Sequence, residues 1–196
     1  SSAASDVYKR QDKVRILEKN EINSKGKILL NSIKKFFQDN NKIHKMLPII
    51  TGKSRISLRA IDWLVTNYSK KKNIVYEIND NKIKHFNMYL EFKGQLKAYS
   101  KKYFDPFCRK DRITYCYDTK NEQYIITTIA QLNFFKWALK YKVLNYLEKN
   151  FDEIYHDMVF NKKINNSSSE KSTTSSGRKV RTELSECATK KLNKIN

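Results

Sequence analysis

Apolar residues recur at helical spacing along several stretches of the chain. Leu29, Leu30, Ile33, Phe36 and Phe37 predict one amphipathic helix from about Lys27 to Asn40, with Pro48 as a later stop. Ser57 is placed to cap a helix with inner positions Leu58, Ile61, Leu64, Val65 and Tyr68, leaving Arg59, Asp62 and Thr66 on its other face. Ile74 to Ile78 predicts a strand, and the polar run from Asn79 to Lys84 a turn. A further helix is predicted from about Phe86 to Tyr103, with Phe92, Leu96, Tyr99 and Tyr103 inward and Asp105-Pro106 ending it. Arg112 to Asp118 and Gln123 to Thr127 are rich in β-branched and aromatic residues and predict a hairpin over about 112–127. Thr128 then caps a long helix to about Lys149, with Leu132, Phe135, Leu139, Val143, Tyr146 and Leu147 buried. Phe151, Ile154, Tyr155 and Met158 continue as a short separate helix.

These elements predict an α+β fold: three to four helices with a small antiparallel sheet. Residues 12–50 form a basic N-terminal region with one helix, and residues 51–160 a globular domain. Residues 161–196 form a disordered basic tail, because the stretch 165–177 is nearly all Asn, Ser, Thr and charge and cannot repay the entropy of folding. Residues 1–11, with the run Asp6-Val7-Tyr8-Lys9-Arg10-Gln11, resemble a translated sequencing-library adapter. They are expected to be non-native and are set aside from functional reasoning.

Charge changes the picture most. The 196 residues hold 40 Lys and Arg against 20 Asp and Glu, a formal charge of +20. The excess runs through the whole chain: 11 bases and 5 acids over residues 1–50, 20 and 12 over 51–160, and 9 and 3 over 161–196. Such a chain attracts polyanions. Lys outnumbers Arg 32 to 8, which AT-rich codons alone would favour. Codon bias does not account for the twofold shortage of acids, nor for the close pairs Arg55/Arg59 and Arg109/Arg112.

The richest basic segment is Lys93 to Arg112, with Lys93, Lys97, Lys101, Lys102, Arg109, Lys110 and Arg112 against two acids. Lys93, Lys97 and Lys101 recur every four residues, so they are expected to stack along one helix side and follow phosphates. Tyr99, Tyr103 or Phe104 are placed to stack on unpaired bases, although their spacing also suits burial. Lys136 and Lys140 would extend this surface if their helix packs beside it. Arg109 or Arg112 can fold back on Asp105 or Asp111 and fix a tight corner at Asp105-Pro106.

Signs of catalysis are few. Thr51-Gly52-Lys53-Ser54 lacks the upstream glycine and strand of a phosphate-binding loop. Glu91-Phe92-Lys93 has a nuclease-like spacing but falls on a predicted helix. His44, His85 and His156 are scattered, and no Cys/His spacing fits zinc. No cofactor, metal or small-molecule substrate is expected. Cys108, Cys116 and Cys187 are widely spaced and odd in number, which fits a reducing compartment better than a disulfide framework. No run approaches the ~20 apolar residues that span a bilayer, so no membrane partner is expected.

Several segments together resemble an uncharacterised protein family of nucleocytoplasmic large DNA viruses. They are Ile56-Ser57-Leu58-Arg59-Ala60-Ile61-Asp62-Trp63, Val65-Thr66-Asn67-Tyr68-Ser69-Lys70-Lys71, Gln95-Leu96-Lys97-Ala98-Tyr99-Ser100-Lys101-Lys102, Phe104-Asp105-Pro106-Phe107-Cys108-Arg109 and Gln131-Leu132-Asn133-Phe134-Phe135-Lys136-Trp137-Ala138. The basic tail around Arg178 to Arg181 and Ala188-Thr189-Lys190 is similar too. The resemblance covers about Arg55 to Met158 plus that tail, and it implies a viral origin and a setting in a cytoplasmic factory or a particle.

The expected function is non-enzymatic binding of nucleic acid, DNA ahead of RNA, with little sequence preference. Its contacts would be Arg55, Arg59, Lys93, Lys97, Tyr99, Lys101, Lys102, Arg109, Lys110, Arg112, Lys136 and Lys140. Phosphorylation between Ser167 and Ser176 would weaken the tail's attraction. The alternative is a virion structural or scaffolding protein that binds acidic or capsid proteins.

Overall fold

The computed structural model describes residues 16–169 apart from 81 and 120. The adapter-like segment, the basic tail from Arg178 and most of the Ser167–Ser176 stretch lie outside the described residues. Within them the fold is α+β. Helix α1 spans Ser24–Phe36 and α2 Asn40–Ile50. Helix α3 begins as Leu58–Trp63, passes through a π-helical turn at Leu64–Tyr68 and ends as Ser69–Lys72. Strands β1 (Val75–Asp80) and β2 (Lys82–Asn87) precede α4 (Met88–Phe104). Strands β3 (Arg112–Asp118) and β4 (Gln123–Thr128) precede α5 (Ile129–Lys140), α6 (Val143–Lys149) and α7 (Phe151–Ser169).

Local chemistry explains the element starts. Asn23, Asp39, Ser57, Asn87 and Thr128 each accept a backbone N–H in the first turn of the helix they precede. The β3–β4 pair is antiparallel, with Tyr115 opposite Ile125 and Ile113 opposite Thr127, and it is the expected hairpin. Ile16 adds a parallel bridge to Arg112, and Leu17 N donates to Arg112 O at 2.7 Å.

The helix count differs from expectation: seven among the described residues, not three to four. Residues 12–50 carry two helices rather than one, and Pro48 lies inside α2 instead of stopping it. A proline there removes only one ladder bond, to the carbonyl four residues back, and Ile43, Met46 and Ile49 bury the helix regardless. Nor do these helices form a separate layer. Ile22, Leu29, Ile33 and Phe37 join the same core as the rest of the chain. The predicted turn over 79–84 belongs largely to a second hairpin, β1–β2, which pairs Tyr76 with Phe86. The long helix expected from Thr128 to Lys149 breaks at Lys142, which takes a left-handed conformation (φ 56°). Finally, α7 runs to Ser169, so the start of the expected disordered tail is helical. Phe151 and Ile154 anchor its first turn, and a helix nucleated by packing propagates at little cost.

The core centres on α5, where Leu132, Asn133, Phe134, Phe135, Trp137 and Ala138 are all buried. Phe92 and Phe104 of α4 and Phe86 of β2 close around Trp137, with ring centroids 5.6–6.1 Å from it. Polar side chains of α5 fix the end of α4. Asn133 Nδ2 donates to Tyr103 O at 3.0 Å, and Gln131 Nε2 donates to Pro106 O at 3.1 Å.

Candidate nucleic-acid interface

Two sides of the molecule treat their charges in opposite ways. Beside α3, three bases are matched by carboxylates from the first half of α7. Arg55 pairs with Asp152 and lies 4.1 Å over the Phe151 ring. Lys71 pairs with Asp157 at 2.5 Å, and Lys72 with Glu153 at 3.1 Å. Trp63 Nε1 donates to Asp157 Oδ2 at 3.0 Å, and Tyr68 donates to Glu153. Burial works against ionising Asp157, but the hydrogen bonds from Lys71 and Trp63 outweigh it and hold its carboxyl below the ordinary value. Asp157→Asn should therefore destabilise the fold by about 1–2 kcal/mol at neutral pH. A depressed carboxyl contributes above its unfolded value of 3.8 and loses that contribution as pH falls through its folded value. Urea titrations should thus show wild type and variant converging in strong acid. A gap that persists there would mean that the carboxylate's charge is not what matters.

The opposite situation holds where α1 meets α5. Neither helix contains an Asp or Glu. An added Cβ at Gly26 would stand 2.8 Å from Ile22 Cγ2 and 3.3 Å from Ile129 Cδ1, so the missing side chain permits the close approach of α1 to α5. Six residues further along α1, Lys136 Nζ donates to Ser32 Oγ at 2.6 Å. The two contacts advance together, so the helices run in the same direction. Lys136 is half-buried, and burial together with neighbouring Lys140 lowers its pKa. The Lys140 ammonium stands 5.4 Å over the Tyr141 ring. On α1, Lys25, Ile28, Ser32 and Lys35 follow heptad spacing and are all exposed.

The predicted contacts therefore separate. Lys93 and Lys97 are exposed on α4, as expected. Lys101 does not continue their row, because Ser100 leaves the helical region (φ 61°, ψ 168°) and kinks α4 between them. Tyr99 is half-buried and packs against the Phe104 ring at 6.2 Å, while Tyr103 and Phe104 are buried; these aromatics serve the core rather than a base-stacking platform. Lys102 pairs with Asp111 at 3.6 Å, taking the carboxylate that the arginines were expected to share. Asp105 Oδ1 instead accepts from Phe107 N at 2.8 Å, tying the corner. Arg109 and Lys110 are exposed, and Arg112 is half-buried at the start of β3. Arg59 is exposed on α3, close enough to Asp62 to favour its charged form. Arg55 is committed to Asp152 and Phe151, an arrangement across 97 residues that no local pattern reveals.

Helices α4 and α5 do pack side by side, with Phe92 6.3 Å from Phe134 and 5.9 Å from Trp137. At roughly 100° per residue, Lys136 lies well round α5 from that contact and meets α1 instead. The lysines of α1 belong to this surface although they are not among the contacts expected from sequence. The signal was present, since residues 22–38 contain no acid. Among the described residues no group of three or more His, Cys, Asp or Glu is placed to hold a metal ion, and no helix is long and apolar enough to cross a membrane.

By sequence, the chain belongs to the family described as being of unknown function, DUF7197, which it matches over residues 9–193, the N-terminal helices included. It is 46% identical over 135 residues to Uncharacterized protein L507 of Acanthamoeba polyphaga mimivirus. That alignment takes in 66% of this chain and 52% of the mimivirus protein, so the chain spans about half the length of this curated relative. The family is thus an uncharacterised one of giant viruses. No solved structure matches.

Proposed function

We propose that the chain is a non-enzymatic, basic nucleic-acid-binding protein of a large DNA virus, favouring DNA over RNA and reading little sequence. One observation carries this reading. Asp152, Glu153 and Asp157 of α7 are matched internally by Arg55 and the end of α3, whereas α1 and α5 contribute lysines with no acid of their own. Acids and bases thus pair where α7 meets α3, whereas α1 and α5 bring bases alone, which codon bias alone would not produce. Lysines act on phosphates as point charges, and the scarcity of arginine leaves little means of reading guanine edges. The working place would be a virion or the viral factory in the host cytoplasm.

Fluorescence anisotropy with a labelled duplex across a salt series tests the reading. Log affinity is expected to fall linearly and steeply with log salt, by about 0.9 for each phosphate neutralised. A flat dependence would rule out phosphate contacts. The second reading, a virion structural or scaffolding protein, draws on the apolar residues exposed on α7, Tyr155 and Phe160. It would gain from capsid-protein binding by a chain indifferent to DNA.

A further inference from the structure

We propose that nucleic acid lies along the seam between α1 and α5, with its phosphates held by Lys25, Lys35, Lys136 and Lys140. The inference rests on the nucleic-acid reading above and locates the contact away from the α4 row.

Three observations converge on the seam. The first is register. Gly26 faces Ile129 and Ser32 receives Lys136, so one further turn brings Lys35 of α1 level with Lys140 of α5. The second is the absence of competition. No carboxylate among the described residues pairs with any of the four lysines, and neither helix supplies one. The third is reach. Lys25 to Lys35 spans ten residues of helix, about 15 Å. One strand of B-DNA presents about four phosphates over that rise. Beyond the N-terminal end of the seam acids join the bases, since Glu21 and Asp111 line the cleft there and Asp111 pairs with Lys102. The ammonium groups of Lys25 and Lys102 stand 5.5 and 5.8 Å from the Tyr103 ring centre, and Lys110 lines the same shallow cleft.

The α4 row fits a polyphosphate less well. The Ser100 kink separates Lys97 from Lys101, so the row is only two lysines long. An acidic protein surface is the other chemistry that lysines attract. A protein partner, however, is normally gripped by a central apolar anchor. On this stripe Ile28, 70% exposed, stands alone, and neither helix exposes the Trp or Tyr that usually forms such an anchor.

The test uses the full chain and the labelled duplex. Changing Lys35, Lys136 and Lys140 together to Gln should reduce the slope of log affinity against log salt by about 2.7, and Lys35→Gln with Lys140→Gln alone by about 1.8. The double variant alters only exposed side chains, so it stays informative if the triple variant folds poorly. Lys93→Gln with Lys97→Gln should leave the slope unchanged. If instead this α4 pair reduces the slope and the seam variants do not, the seam is the wrong place while the nucleic-acid reading stands. If wild type shows no salt-dependent binding, that reading fails and takes the seam with it. Displacement of the duplex by polyglutamate at equal charge would overturn the phosphodiester assignment in favour of an acidic protein.

Discussion

Phe134→Ala is expected to lower the unfolding free energy by about 3–5 kcal/mol, the range for truncating a buried phenylalanine. Phe134 is fully buried, and its ring lies 5.5 Å from Phe104, 5.8 Å from Trp137, 5.9 Å from Phe135 and 6.3 Å from Phe92. These neighbours come from α4 and α5, which are braced further by the Asn133 and Gln131 hydrogen bonds. They therefore have little freedom to collapse into the space left behind, and the loss should fall in the upper part of that range. Against a typical total of about 5–15 kcal/mol, such a loss removes much of the margin for folding. Urea unfolding followed by circular dichroism reads it directly. Tyr124→Ala, at a position 57% exposed on β4, should change stability by less than about 0.5 kcal/mol. Equal effects at the two positions would mean that the aromatic cluster does not hold the core.

Asp62→Asn should do the reverse and stabilise the fold at neutral pH. Burial, reinforced by the negative charge of Asp105 and opposed by Arg59, pushes the Asp62 carboxyl from 3.8 up to about 6. A raised carboxyl contributes no penalty below 3.8, where folded and unfolded chains are both protonated. Stability then falls as pH rises from 3.8 to about 6, because the unfolded chain ionises first. Above that window the cost is constant. A shift of this size corresponds to about 1–3 kcal/mol once partial exposure is discounted. The Asn variant keeps the shape without the charge, so its advantage should be complete above pH ~7 and vanish near pH ~4. Thermal melts at several pH values decide the matter; a difference that ignores pH would sink this account of Asp62. The wild-type chain thus keeps a carboxylate that its own fold disfavours, on the face of α3 turned toward the Asp105 corner.

Much of the architecture was readable where a residue announces its own conformation. Ser57 and Thr128 cap helices as their hydroxyls predict, and the β-branched run around Ile113 and Ile125 pairs as a hairpin. Positions set by tertiary context were not readable. Strand β2 is largely polar and sends Phe86 into the core, so its pattern resembles a turn. Ser100 and Lys142 take positive φ without the glycine that normally marks it. The lysines were visible from the outset, but which of them share a face depends on which helices touch. Ser32 meeting Lys136 is a contact across 104 residues, and periodicity carries no information at that range.

Helix α7 acts toward α3 as a resident counter-polyanion. A phosphate approaching Arg55, Lys71 or Lys72 would have to evict Asp152, Asp157 or Glu153 from places they already occupy, with Ile154 buried beneath them. Under the proposed reading this α3–α7 face is the poorer one for a duplex, since three of its bases already have partners. Adhesion would then be directional, with α1 and α5 rather than α3 and α7 turned to the duplex.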